Sequence, residues 1–223
     1  MEKTAIINLK HYQVSSGNHC ESFLSKFIGM DIPSDTRIIF ALNPIDFRVA
    51  KSFPELNFYA QHVYPVEFGA STGQYSIESL LDFGIGGSLL NHSEIRVPER
   101  HIAVTLDKAK SMDFPIVVCA ESSSEAEKYS ALGPEFIAYE PPELIGGNVS
   151  VTSSKPEVIR DVVEKCAINS VPVLVGAGVK NNNDMKKSLE LGARGVLVAS
   201  GIVLEINYSC LIQRKQSHYE ICA

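Results

Sequence analysis

The sequence predicts an α/β protein that folds as a closed (βα)8 barrel, in which eight parallel strands alternate with helices. Eight short apolar runs recur along the chain, and their starts lie from 21 residues (37 to 58) to 36 residues (136 to 172) apart, which is about one strand plus one crossover helix. The clearest runs do not alternate with polar residues, as is typical of parallel strands buried on both faces. The length of 223 residues fits eight such units if the loops and terminal helices are short, since these barrels usually have about 250 residues.

The predicted strands occupy, in chain order, residues 5–9, 37–42, 58–60, 88–90, 115–120, 136–139, 172–175 and 195–199. An open doubly wound sheet is the alternative arrangement. However, no Gly-x-Gly-x-x-Gly pattern follows the first strand, and the chain has no Gly-x4-Gly-Lys-Ser/Thr loop. These absences favour the barrel. Because no linker or low-complexity tract divides the chain, we expect one domain over residues 1–223.

Apolar positions with helical spacing are clearest in four segments, at residues 20–28, 126–132, 158–167 and 184–191. Gly29 and Gly192 are stop signals for the first and the last of them. Ser122 and Glu125 have the spacing of a capping box before the second. Pro156 suits the first turn of the third, where its missing N–H costs no hydrogen bond. These segments supply helices between the predicted strands.

Composition and charge exclude several classes of function. The net charge is −6, from 20 Lys and Arg against 26 Asp and Glu, which argues against a scaffold for nucleic acid. The longest apolar stretches, 38–42 and 116–120, hold five residues each, whereas a membrane-spanning helix needs about 20. The five cysteines include no Cys-x-x-Cys pair, so neither a disulfide framework nor a zinc site is indicated. With no secretory signal pattern at the start, we expect a cytoplasmic protein with reduced thiols.

Polar residues that follow the predicted strands are the candidate chemical groups, because the carboxyl ends of barrel strands open onto the active face. Asn8 and Lys10 come after Ala5-Ile6-Ile7 at the end of the first strand and lie on the same side, while His92 follows the fourth strand and Glu140 the sixth. Each has an ordinary alternative: a strand-to-loop transition for Asn8 and Lys10, a hydrogen-bonded core histidine for His92, and a loop cap or ion-pair partner for Glu140. Together they supply a general base, an imidazole and an ammonium group at one face.

Three glycine-containing segments also follow strands on this face. Residues 141–147 read Pro-Pro-Glu-Leu-Ile-Gly-Gly, with a rigid entry and a flexible exit that suggest a lid. Residues 176–178 (Gly-Ala-Gly) and 199–201 (Ala-Ser-Gly) follow the seventh and eighth strands. Small residues there let backbone amides approach an anion, as in the phosphate sites of such barrels, although either turn alone could be ordinary turn chemistry.

Five motifs carry a family resemblance: Asn-Leu-Lys (8–10), Asn-His-Ser-Glu (91–94), Tyr-Glu-Pro-Pro-Glu-Leu-Ile-Gly (139–146), Gly-Ala-Gly (176–178) and Gly-Val-Leu-Val-Ala-Ser-Gly (195–201). In this order and spacing they resemble the triosephosphate isomerase family, particularly its shorter archaeal branch, over about residues 6–201. The resemblance implies a TIM barrel with a shortened outer helical layer. It also implies interconversion of dihydroxyacetone phosphate and D-glyceraldehyde 3-phosphate through an enediolate, without a metal or an organic cofactor.

The resemblance assigns a role to each catalytic candidate. Glu140 is the base, His92 polarises the carbonyl as a neutral imidazole, Lys10 offsets the charge of the enediolate, and Asn8 orients the substrate. Glu94 supports the strand end that carries His92 or makes a subunit contact. The positions implied to face the substrate phosphate are Asn8, Lys10, Ile145, Gly178, Ala199 and Ser200.

The loop at 69–73 (Gly-Ala-Ser-Thr-Gly) matches a family segment that reaches into a neighbouring subunit, so the resemblance implies a homodimer or homotetramer. Residues 204–223 do not match the family's final helix. Two alternatives stay open: another phosphosugar isomerase or epimerase on the same barrel, and a non-catalytic phosphate-binding barrel. The quartet of Asn8, Lys10, His92 and Glu140 argues against both.

Overall fold

The chain is represented by a computed structural model that describes residues 2–141, 156–176, 179, 182–204, 212–215 and 218–221. Its centre is a closed barrel in which each of eight strands pairs with the next and the eighth pairs with the first. The strands are β1 Lys3–Asn8, β2 Thr36–Leu42, β3 Asn57–Ala60, β4 Ser88–Leu90, β5 Ile116–Ala120, β6 Phe136–Tyr139, β7 Val173–Val175 and β8 Gly195–Val198. All the pairings in this barrel are parallel. The predicted fold class is confirmed.

Two apolar layers explain why the strand sequences do not alternate. Ile6, Ile39 and Leu89 belong to the cluster that fills the barrel interior, whereas neighbouring residues such as Ile7 and Phe40 belong to the larger cluster that packs under the helices. Successive strand residues point to opposite faces, and both faces here are buried. The apolar runs therefore predict parallel strands for a physical reason, which is the removal of both faces from water.

Seven α-helices lie in the described residues: α1 Cys20–Leu24, α2 Ile77–Asp82, α3 Glu99–Ser111, α4 Ser123–Ser130, α5 Pro156–Ala167, α6 Asn182–Glu190 and α7 Ser200–Val203. The helix predicted at 20–28 ends earlier, and the 3-10 helix Ser25–Phe27 continues it to two residues before Gly29, which has a positive φ. Helix α4 begins before the predicted 126, because the Ser122 hydroxyl accepts the Glu125 N–H and caps the helix there. The 3-10 helix Pro44–Ser52 connects β2 to β3.

A polar triad closes the barrel at the end opposite the candidate site. The Arg37 guanidinium donates to Glu135 Oε1 at 2.7 Å and to the Tyr59 hydroxyl at 3.0 Å, and that hydroxyl donates to Glu135 Oε2 at 2.6 Å. Burial, with the charge of Glu135, raises the pKa of the Tyr59 hydroxyl. Gly87 leaves room for the tyrosine, since a Cβ there would lie 2.4 Å from its ring. The triad satisfies the polar groups that the barrel buries at this end.

Near the carboxyl end, β9 Ile212–Lys215 and β10 His218–Ile221 form an antiparallel pair separate from the barrel. No element is predicted for this segment from the sequence. Among the described residues, no helix has the length and apolar character needed to cross a membrane.

Candidate active site

The structure brings the ends of β1, β4 and β6 together. Asn8 is the last residue of β1, His92 follows β4 by two residues, and Glu140 follows β6 directly. All three side chains are buried, and Glu140 is 7% exposed. His92 Nε2 and Glu140 Oε2 lie 3.6 Å apart. The base and the imidazole named by the sequence analysis therefore face each other across one small space.

The contacts of His92 define which nitrogen carries its proton. The backbone N–H of Glu94 donates to His92 Nδ1 at 3.1 Å, so Nδ1 is an acceptor and the proton of the neutral ring is on Nε2. A proton on Nδ1 would point at the Glu94 N–H. This geometry directs the single N–H of the neutral ring towards the site.

The Glu140 side chain is buried, and one of its carboxylate oxygens accepts no hydrogen bond from the described residues. Its Oε2 has no hydrogen-bond partner in the described part of the chain, and the distance to His92 Nε2 is too long for a strong hydrogen bond. Gly176 forms the wall behind it, since a Cβ at that position would lie 2.3 Å from Glu140 Cγ. Cys119 lies beside the same carboxylate, and burial, followed by the Glu140 charge, raises the pKa of its thiol. An unsolvated carboxylate oxygen of this kind is suited to accept a proton.

Lys10 has a left-handed backbone conformation, with φ of 47°, which costs about 1–3 kcal/mol for a residue with a side chain. Three hydrogen bonds fix it. Its N–H donates to Asn8 Oδ1 at 3.0 Å, and its carbonyl accepts from Gln61 Nε2 at 3.0 Å and from Asn43 Nδ2 at 3.3 Å. Its backbone position is therefore set by side chains from the loops after β2 and β3 as well as by β1.

The Lys10 ammonium donates to Glu94 Oε1 at 2.7 Å. The Glu94 carboxylate is 59% exposed, so this ion pair is weak and can be exchanged for another anion. The sequence analysis expects Glu94 to support His92 or a subunit contact. In the structure its backbone N–H donates to His92 Nδ1, its Oε1 pairs with Lys10, and its Oε2 lies 3.8 Å from the same His92 nitrogen.

Asn91 holds the strand end that carries His92, although the sequence analysis assigns it no role. It is fully buried with φ of 61°. Its Nδ2 donates to the Cys119 carbonyl at 3.0 Å, and its Oδ1 accepts the Val97 N–H at 3.1 Å. The available signal was its residue type, because asparagine tolerates a left-handed backbone better than most residues.

The phosphate positions are described in part. Ala199 and Ser200 lie directly after β8, half-buried, at the same end of the barrel as Asn8. Ile145 and Gly178 lie outside the described residues, as does the predicted lid apart from Pro141. In the described ranges no group of three or more His, Cys, Asp or Glu side chains has the arrangement of a metal site.

Comparison with known proteins agrees with this geometry. The family model described as triosephosphate isomerase matches residues 3–215. The chain is 50% identical over 200 residues to the triosephosphate isomerase of Thermoplasma volcanium, covering 90% of this chain and 92% of that protein. It is 36% identical over 201 residues to the enzyme of that name from Methanothermus fervidus (89% and 90% covered) and 37% identical over 199 residues to the one from Cenarchaeum symbiosum (89% of each).

Proposed function

The chain belongs to the triosephosphate isomerase family, and on that premise we propose that it interconverts dihydroxyacetone phosphate and D-glyceraldehyde 3-phosphate. The observation that carries the proposal is the pair formed by the open Glu140 oxygen and the protonated His92 nitrogen, 3.6 Å apart at a buried strand end. The reaction moves a proton between adjacent carbons and needs a base and a group that polarises the carbonyl.

We assign the transfer of the carbon-bound proton to Glu140. Its carboxylate removes a proton from the carbon beside the ketone of dihydroxyacetone phosphate, and the electron pair forms the enediolate. The same carboxyl group returns the proton to the neighbouring carbon, while the hydroxyl proton passes from one oxygen to the other. Burial beside Gly176 and Cys119 keeps the carboxylate in place and away from water, which strengthens its interaction with the substrate.

His92 and Lys10 stabilise the negative charge that develops on oxygen. The Nε2–H of His92 donates to that oxygen without adding a full positive charge, and the Lys10 ammonium exchanges Glu94 for the anionic substrate. Asn8 orients the substrate, and Ala199 and Ser200 face its phosphate together with Ile145 and Gly178. The chemistry proposed here uses protein side chains alone, with no metal or organic cofactor.

We further propose that the protein is a single barrel domain and self-associates as a homodimer or homotetramer. Four exposed apolar side chains support the association because they all lie in the loops that follow β1 to β4: Val14, Ile45, Phe68 and Ile95. Such side chains favour contact with another protein surface when they lie together. The cytoplasm is the expected compartment, and buried free thiols at Cys20, Cys119 and Cys166 support it.

The test is a coupled assay of glyceraldehyde 3-phosphate conversion, run on the wild type, Glu140→Gln and Glu135→Gln. The two glutamates flank the same strand, but Glu135 binds Arg37 at the opposite end of the barrel. We expect Glu140→Gln to lower kcat by about 10²–10⁴-fold, the usual contribution of a general base, while Glu135→Gln stays close to the wild type. Full activity of Glu140→Gln would show that Glu140 is not the base. A folded but silent wild type would favour another phosphosugar substrate or a phosphate-binding barrel.

A further inference from the structure

A buried carboxylate that the proposed reaction does not use lies in the loop after β2. Asp46 is 3% exposed. Its Oδ1 accepts the Gly17 N–H at 2.9 Å, and its Oδ2 accepts from the Ser16 hydroxyl at 2.9 Å and from Asn43 Nδ2 at 2.6 Å. We refer to Asp46, Asn43, Ser16 and Gly17 as the Asp46 cluster.

The Asp46 cluster connects the loop after β2 to both ends of the segment from residue 10 to residue 17, which follows β1. Ser16 and Gly17 lie at the far end of the loop that follows β1, and Lys10 lies at its beginning. Asn43 Nδ2 has two hydrogens and three acceptors within reach: Asp46 Oδ2 at 2.6 Å, the Ser16 hydroxyl at 3.0 Å and the Lys10 carbonyl at 3.3 Å. The loop from residue 10 to residue 17 is therefore attached at each end to the same buried Asn–Asp pair.

Asp46 also determines the orientation of the Asn43 amide. Asn43 Oδ1 accepts the Ile45 N–H at 3.1 Å, and an ionised carboxylate can only accept. One amide orientation satisfies both neighbours, with oxygen towards Ile45 and nitrogen towards Asp46. That orientation turns Nδ2 towards the Lys10 carbonyl as well as towards Asp46 and the Ser16 hydroxyl.

We propose that Asn43 and Asp46 are positioning residues for Lys10, holding its backbone in the left-handed conformation from which the ammonium reaches the substrate. This assignment rests on the proposed function. Without the Asn43 donor, Gln61 is the remaining described side-chain donor to the Lys10 carbonyl. The strained backbone then relaxes and the ammonium moves, because a strained residue persists only where its surroundings hold it.

A double-mutant cycle separates this role from a purely structural one. Asn43→Ala is made in the wild type and in Lys10→Met, and each protein is assayed for kcat/KM, for the Kd of 2-phosphoglycolate by calorimetry, and for Tm. Asn57→Ala is the matched control, since Asn57 Nδ2 makes the same kind of bond, at 3.0 Å, to the Ile38 carbonyl at the opposite end of the barrel.

We expect Asn43→Ala to lower kcat/KM by about 10- to 100-fold, as a displacement near 1 Å can do, and to weaken 2-phosphoglycolate binding. In Lys10→Met the same substitution should change that Kd by less than about twofold, the scatter of independent sites. Asn57→Ala should keep the wild-type kcat/KM.

Equal losses of 2-phosphoglycolate affinity in both backgrounds, or no loss when Lys10 is present, would overturn the assignment. If Asn43→Ala does not fold, the near-isosteric Asp46→Asn replaces it in the same cycle, because it places an amide N–H against either Gly17 or Asn43. A wild type that binds 2-phosphoglycolate but does not isomerise triose phosphates would refute the proposed function, and the binding cycle would still decide the role of Asn43.

Discussion

Stability should fall on mild acidification because of one buried histidine, His62, that lies two residues after β3. It is 3% exposed, and neither ring nitrogen has a hydrogen-bond partner in the described structure. Its ring contacts Tyr64, with centroids 4.6 Å apart, and stacks near His101 at 6.0 Å. Burial, with the charge of His101, lowers the pKa of His62 to about 4.

The sign and size of the effect follow from linkage. The unfolded chain has an ordinary histidine pKa near 6.5, so between pH 6.5 and pH 4 the unfolded state binds the proton and the folded state does not. The contribution of neutral His62 to the free energy of unfolding is complete above pH 6.5 and is lost as the pH falls towards 4. The difference between the unfolded pKa near 6.5 and the folded pKa of about 4 lowers the free energy of unfolding by about 3 kcal/mol once the pH is below 4. About 2 kcal/mol of this is already lost at pH 5.

The measurement is urea unfolding at pH 7 and pH 5, at one protein concentration because any self-association adds to stability. The wild type is compared with His62→Phe, which keeps an apolar ring and removes the titration, and with His19→Phe, which removes an exposed histidine. The decrease from pH 7 to pH 5 should be about 2 kcal/mol smaller in His62→Phe than in the other two proteins. Equal decreases in all three would refute the reasoning.

Two further substitutions test the site and the assembly. Gly176→Ala places a Cβ 2.3 Å from Glu140 Cγ, so kcat should fall by about 10²-fold. The control Gly86→Ala has open space around the added Cβ and should keep the wild-type kcat. Equal kcat values in the two variants would show that Gly176 does not position Glu140. Phe68 is 69% exposed beside the loop at 69–73, so Phe68→Asp should shift the protein to smaller species in light scattering, and an unchanged mass would exclude this loop from the interface.

The strands were predictable because burial on both faces leaves a signal in the sequence itself. Ser88–Leu90 and Phe136–Tyr139 have the predicted bounds, while β1 begins at Lys3 and not at residue 5. Lys3 is polar, and its place in the strand comes from pairing with Thr36 on β2. The pair of strands at 212–221 had no such signal, since its residues show neither a continuous apolar run nor a marked turn.

The candidate reacting groups were predictable for a different reason: their residue types are chemically distinctive and each lies within two residues of the end of a buried strand. Lys10, His92 and Glu140 meet both conditions. Asn43 and Gln61 also follow buried strands directly, but their amide side chains indicate no reaction, and Asp46 lies further from the strand end. The importance of the two amides comes from bonds to Lys10, which is 33 and 51 residues away in the chain. Such contacts depend on how the barrel closes and leave no local pattern.

The geometry of the site separates charges that would otherwise cancel. A lysine close to a catalytic carboxylate would form an ion pair with it and make it a weaker base, but here the Lys10 ammonium is paired with Glu94, and Glu140 Oε2 stays open. The imidazole also contacts Glu94, because its Nδ1 accepts the Glu94 N–H while its Nε2 lies 3.6 Å from Glu140 Oε2. Glu94 therefore serves both neighbours, through its side chain and through its backbone. Glu140, the proposed base, therefore stays available because Lys10 and His92 both contact Glu94, and in our proposal the position of Lys10 depends on the Asp46 cluster.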